Sequence, residues 1–300
     1  MNNSLGIRPV LVAVANPDHV EQLVRTASDV ARCGDGHVKI VSVVVKPHSS
    51  PFSVYSDQAI VERFAQDTQN VLDAATAVAP DDVSIEREVL VGRSVAGGIL
   101  TATRQTDAQA LVVGWHGRRT RTESILGSNL DQLIKYAPSD LYVERVGDEA
   151  NGVGSILVPV AGGPHVRPAV AAAKAIAARN DATVHVLSVG ATNENSDGAC
   201  DHIEAAVMQL ENAPGPDVAV ETRLAVGDDT TDVIVEAAAD HDILIFGVTR
   251  QSVIRRRLVG SIPQRVIPRT DGTVLLARSA DVVEKPTFDR FRRLWRRSRR

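Results

Sequence analysis

Between Gly114 and Asp131 the sequence reads GWHGRRTRTESILGSNLD. Gly114, Gly117 and Gly127 stand at G-x2-G-x9-G spacing, and Ser128 follows the last of them. A glycine can turn the backbone through positive φ and, lacking Cβ, lets a ligand come close to the main chain. Gly127 and Ser128 open the stretch NLDQLI, whose apolar residues recur at helical spacing. The first N–H groups of a helix have no intrahelical partner, and with the helix dipole they favour an anion. The Ser128 hydroxyl adds a donor, and Arg118 or Arg119 can add charge. The chemistry this pattern suits is holding a polyphosphate. A near copy, GVTRQSVIRRRLVGSIPQ, runs from Gly247 to Gln264. It keeps Gly247, Gly260 and Ser261 but carries Arg250 where the first copy has its middle glycine.

Other chemistries lack their residues. No G-x-G-x-x-G follows the first apolar run, and no G-x-x-x-x-G-K-[ST] occurs. AGGPH (161–165) lacks the Ser and the Asp-Ser of the pyrophosphatase loop S-G-G-x-D-S, so it reads as a loop and helix start. His116 has no second His or Cys nearby, so no metal site is expected. Asp228 and Asp229 read as a helix N-cap pair. No pattern places a general base, so the expectation is binding with at most slow ATP hydrolysis.

The elements that must position the motif are written twice. VLVAVA (10–15) and ILVPVA (156–161) are short β-branched runs, and each leads into a helical pattern. VKIVSVVV and ATVHVLSV follow as buried strands. A longer helix comes next, over Gln58–Val78 in the first copy and Asp201–Leu210 in the second. Then come a strand, a helix, a strand running into the glycine motif, a short helix, and a last strand, LYVERV or TVLLAR. Strands alternating with helices predict an α/β architecture of two tandem, doubly wound parallel sheets. The polar, Gly-rich stretch 147–155 predicts the boundary. The expected units are residues 1–148, residues 153–281 and a tail over 285–300.

The G-x2-G-x9-G-S spacing, set in this βα order and in two copies, resembles the ATP-binding subclass of the universal stress protein family. The resemblance implies five-stranded sheets of order 3-2-1-4-5, an adenine nucleotide alpha hydrolase-like fold. It implies a nucleotide-binding regulatory protein of the stress response, in the cytoplasm. The ligand it implies is ATP or a related adenine nucleotide, with or without Mg2+. Carried over, the binding positions are Ala13, Val14, Ala15, Val43, Gly114, His116, Gly117, Gly127, Ser128, Asn129 and Leu130. Two departures stand out. Where the family often has Asp, both copies have Ala (Ala15 and Ala161), and in the second copy the Arg250 side chain would occupy the space the phosphates need or itself act as a phosphate mimic or ligand. The first half is therefore expected to be competent and the second degenerate. Relatives commonly pair through the last strand, which implies that the halves pair within the chain and leaves a homodimer open. Paired domains and a charged tail also resemble the cytosolic half of some prokaryotic transporters.

Composition sets the remaining limits. Aromatic residues make up 3% of the 300, so the cores must be aliphatic. Cys33 and Cys200 show no motif spacing, which fits free thiols in a reducing compartment. The start lacks a signal-peptide pattern. A net charge of -4 gives no case for specific nucleic-acid binding. Seven arginines fall in residues 290–300, and removing them leaves -11 on the rest. With Phe288, Phe291, Leu294 and Trp295 on one helical face, the tail predicts an adaptor role: peripheral docking on an anionic membrane or a membrane transporter.

Overall fold

The computed structural model describes residues 8–46, 55–115, 127–146, 152–190, 197–248 and 261–282. The first half runs β1 (Val10–Ala13), α1 (Val20–Cys33), β2 (Val38–Val45), α2 (Asp57–Phe64), α3 (Gln66–Ala77), β3 (Ile85–Gly92), α4 (Val95–Gln105), β4 (Ala110–Trp115), α5 (Gly127–Tyr136) and β5 (Asp140–Arg145). The second runs β6 (Ser155–Pro159), α6 (Val166–Asn180), β7 (Thr183–Gly190), α7 (Asp197–Glu211), β8 (Val220–Val226), α8 (Thr230–Ala238), β9 (Ile243–Gly247), α9 (Ser261–Val266) and β10 (Thr273–Arg278).

Sequence chemistry explains where these elements start and stop. The Ser94 hydroxyl accepts from the Gly97 N–H and caps α4, and Asp229 accepts from the Thr231 N–H at 2.8 Å and caps α8. Asp181, in the left-handed region at φ 55°, ends α6 right after Asn180. The expected long helix over Gln58–Val78 is instead two helices, α2 and α3. They meet at Ala65, which leaves helical geometry and is buried. No residue type at that point signals the break.

Each half has the strand order 3-2-1-4-5, but the two sheets are one. The full order is β3-β2-β1-β4-β5-β10-β9-β6-β7-β8, ten strands in all. Every pairing is parallel except β5 with β10, which is antiparallel. Val143 lies opposite Leu276 there. Those two positions are equivalent under the offset of 133 residues that separates Gly114 from Gly247. A pseudo-twofold axis therefore passes through that pair.

One apolar layer, on the side of α1, α3, α6 and α7, runs unbroken from Val10 to Ala277 across the seam. The opposite layer holds residues of α4, α5, α8 and α9, again from both halves. Two arginines close the seam. Arg278 of β10 donates from Nη1 to the carbonyls of Ala137 (2.8 Å) and Ser139 (3.3 Å), just after α5. Its counterpart Arg145 donates to the carbonyls of Ile267, Thr270 and Gly272, just after α9. Each half thus offers the other a guanidinium for the orphan carbonyls at a helix end.

Candidate functional site

Parallel strands in this order bring the ends of β1, β2 and β4 to one edge of the first half. β1 lies between the other two, and Ala13 is level with Val41 and Val113. Ala13 is half-buried, Val14 is buried and Ala15 is exposed. Asn16 then accepts from the Asp18 N–H and turns the chain toward α1. Val43 is half-buried, and a Cβ on Gly98 of α4 would come within 3.0 Å of it. The start of α4, capped by Ser94, therefore flanks Val43. The sequence signal for this was available, since Gly92-x-Ser94 and Gly227-x-Asp229 match as strand end and cap.

The glycines of the motif do different jobs. Gly114 lies inside β4 and is not among the glycines with positive φ. A Cβ there would sit 3.1 Å from Leu23 of α1 and 3.2 Å from Val146. The positive-φ turn open to a motif glycine is therefore not what Gly114 makes: its smallness lets the first helix pack on the strand. Gly247 repeats this, for its Cβ would stand 2.8 Å from the His165 carbonyl oxygen. Gly127 is the glycine that its backbone requires. Its φ is 77°, and nothing lies within 4 Å of an added Cβ. Gly127, Ser128 and Asn129 are exposed at the start of α5, while Leu130 is buried and anchors the turn. His116, Gly117, Arg118, Arg119, Arg250 and Gly260 lie outside the described residues, and so does the tail over 285–300.

The equivalent edge of the second half differs in detail. Gly162 and Gly163 both have positive φ, and a Cβ on Gly162 would meet the His202 ring of α7 at 2.9 Å. His165 is buried and its Nδ1 accepts from the Ser279 N–H at 3.0 Å. Burial, with Arg278 next in weight, pushes its pKa down to about 4, so the ring is neutral. Arg265 of α9 pairs with Asp229, and Arg269 with Asp232 of α8 at 2.7 Å.

A cavity of about 440 Å³ lies elsewhere, on the second half, toward the amino ends of the strands. His185, Glu221 and His241 line part of it. Among the described residues no group of three or more His, Cys, Asp or Glu side chains is placed to hold a metal ion. Both strand-edge sites lie at the opposite end.

The family model of the universal stress protein family matches residues 6–145 and 152–278. The chain belongs to the universal stress protein family. It carries the family's domain twice, and the two domains pair within the chain through their last strands. Among solved structures, a universal stress protein from Archaeoglobus fulgidus DSM 4304 is similar at 15% identity, TM-score 0.60, over 90% of this chain and 97% of that one. A functionally unknown protein from Pseudomonas aeruginosa PAO1 is similar at 18% identity, TM-score 0.56, over 92% and 94%. The cytoplasmic domain of a prokaryotic cation chloride cotransporter is similar at 10% identity, TM-score 0.57, over 92% and 97%. These likenesses concern the fold. No curated protein matches the sequence significantly. No helix among the described residues is long and apolar enough to cross a membrane.

Proposed function

We propose that the first universal stress domain, residues 1–148, binds ATP or a related adenine nucleotide and acts as a regulatory binding module. The observation that carries this reading is Gly127. It is held in the left-handed region, open to solvent, directly before the exposed first turn of α5. A phosphate there would meet free N–H groups at the positive end of the helix dipole. Ala13, Val14, Ala15 and Val43 offer an apolar floor for a base, with Gly114, His116, Gly117, Ser128, Asn129 and Leu130 completing the set. A Mg2+ ion, where present, would be held by the phosphates. No sequence pattern places a general base at the motif, so binding rather than turnover is the proposed output.

The second domain, residues 153–281, is read as a structural and signalling partner. Arg250 replaces a glycine of its motif, and the His202 ring closes over Gly162. A second role, as an adaptor, is favoured by the seven arginines of residues 290–300 in the tail over 285–300. Its docking surface would be a membrane transporter or an anionic membrane.

Mass spectrometry of the supernatant from denatured, freshly purified protein tests the first reading. A bound adenine nucleotide is expected, and Gly117→Arg should remove it. Equal nucleotide in both preparations would place the ligand elsewhere. Steady turnover of several ATP per second, in the ordinary enzyme range, would overturn the binding-module reading.

A further inference from the structure

Glu144 stands at the joint between the two domains. On β5 it lies opposite Leu275 of β10 and beside Gly114 of β4. It is 4% exposed. Gln22 of α1 donates from Nε2 to Glu144 Oε1 at 2.8 Å and to the Arg145 carbonyl at 3.0 Å. The Thr26 hydroxyl lies beside the carboxyl. Glu144 Oε2 is buried and has no hydrogen-bond partner among the described residues. An ionised carboxylate with one oxygen bare in such a place is costly, and the neutral acid is far less so.

The surrounding groups supply only a weak counter-charge, from Arg25. From α1, Arg25 is half-exposed and bonded to Glu21 at 2.7 Å, while Asp29 adds a like charge. From α6 come Arg167, Lys174 and Arg179. Arg167 is held by Asp140, and Lys174 donates to the carbonyls of Glu211 and Ala213. Arg179 acts on Asp29. β10 brings Leu275 and Ala277 to this layer, and β5 itself brings Tyr142, whose phenol is kept neutral by burial. The second domain has Ala277 at the position equivalent to Glu144, so the acid exists on one side of the pseudo-twofold only.

We infer that Glu144 is a proton switch in the domain joint, carried as a neutral carboxylic acid, whose ionisation weakens the grip of α1 on the β5–β10 seam. The geometry stands on the bare Oε2, the tethers to Gln22 and Thr26 on α1, and the strand pairing across the seam. Burial agrees with it, raising the Glu144 carboxyl to about 7. Asp29, on the same helix, is raised to about 7 by burial, with Arg32 at 2.7 Å opposing that rise. The folded protein thus holds a proton that the unfolded chain releases near the ordinary value. Stability from this group is fully present below about pH 4.5 and is lost as pH climbs to about 7. One pH unit inside that window changes the folded-to-unfolded ratio by up to about tenfold.

The test is urea unfolding of the full chain and of Glu144→Gln from pH 5 to pH 8, with hydrogen exchange followed at the β5 and β10 amides. The ratio for the wild type, relative to the variant, is expected to fall by up to about tenfold per unit up to about pH 7 and then level off. Seam amides in the wild type should lose protection over the same range, after correction for the intrinsic rate. Parallel pH profiles for the two proteins would overturn the inference. Should Glu144→Gln fail to fold, carbon-13 NMR of glutamate-labelled wild type decides the matter, with Glu144→Asp giving the assignment. A Glu144 carboxyl that titrates near 7 upholds the switch, and one that is ionised at pH 5.5 ends it.

Discussion

The glycines of the motif separate at the level of single residues into those that make room for packing and one that its backbone conformation requires. Gly114 and Gly247 are equivalent, and each would press an added Cβ into the first helix of its own domain, against Leu23 or against the backbone of His165. Gly127 presses on nothing and is needed for its φ of 77°. Gly114→Ala should therefore destabilise the first domain by about 1–3 kcal/mol through overpacking. Gly114 enters the proposed site through its main chain alone, and the added methyl would face Leu23 and Val146, so nucleotide content should be kept. Gly127→Ala should cost about 1–2 kcal/mol through the left-handed backbone and should also lower nucleotide retention. Urea unfolding and mass spectrometry on the same preparations read both effects, and the opposite pattern, with retention lost only in Gly114→Ala, would reverse these roles. The spacing of the glycines was legible in the sequence. Which glycine faces a helix was not, because that depends on Leu23 and Val146, one on another element and the other beyond the end of β5.

Periodicity carried most of the information about the elements. Short β-branched runs became buried parallel strands, and the caps at Ser94 and Asp229 sit where the residue types favour them. The break at Ala65 was not legible, since nothing local distinguishes Ala65 from its helical neighbours. The pairing of the last strands follows from exposed edges needing partners, but the arginine exchange across the seam does not. Arg145 and Arg278 look like surface residues in LYVERV and TVLLAR until the strands are paired. Arg278 is 3% exposed, and a charged hydrogen bond of this kind contributes about 1.5–3 kcal/mol. Arg278→Ala should lower the unfolding free energy by at least that amount, because the carbonyls of Ala137 and Ser139 lose their donor. Arg278→Lys should recover only part of the loss, since an ammonium lacks the planar fork. If Arg278→Ala unfolds at the wild-type urea midpoint, the exchange does not stabilise the seam.

Across the whole molecule, the two copies form one sheet with two unequal ends. The first domain keeps every glycine of the motif, while the second carries Arg250, the His202 contact and the chain's basic end. Charge is also unequal, with seven arginines in residues 290–300 and a formal -11 on all that precedes them. A body of that net sign is repelled by an anionic bilayer, so the proposed docking is assigned to the tail. Each basic residue near such a surface contributes about 1 kcal/mol, and Phe291, Leu294 and Trp295 add apolar burial. Ordering the segment costs about 1–2 kcal/mol per residue fixed, so attraction prevails only while most of the charges act together. Salt shortens their reach, with a Debye length near 8 Å at physiological strength. Full-length protein should therefore co-sediment with phosphatidylserine vesicles at low salt and be released as salt rises. A chain ending at Lys285 should stay in the supernatant while keeping its nucleotide, because the motif of the first domain lies far from the truncation in sequence. Equal sedimentation of the two forms would leave the arginines without a docking role and the adaptor reading without its support.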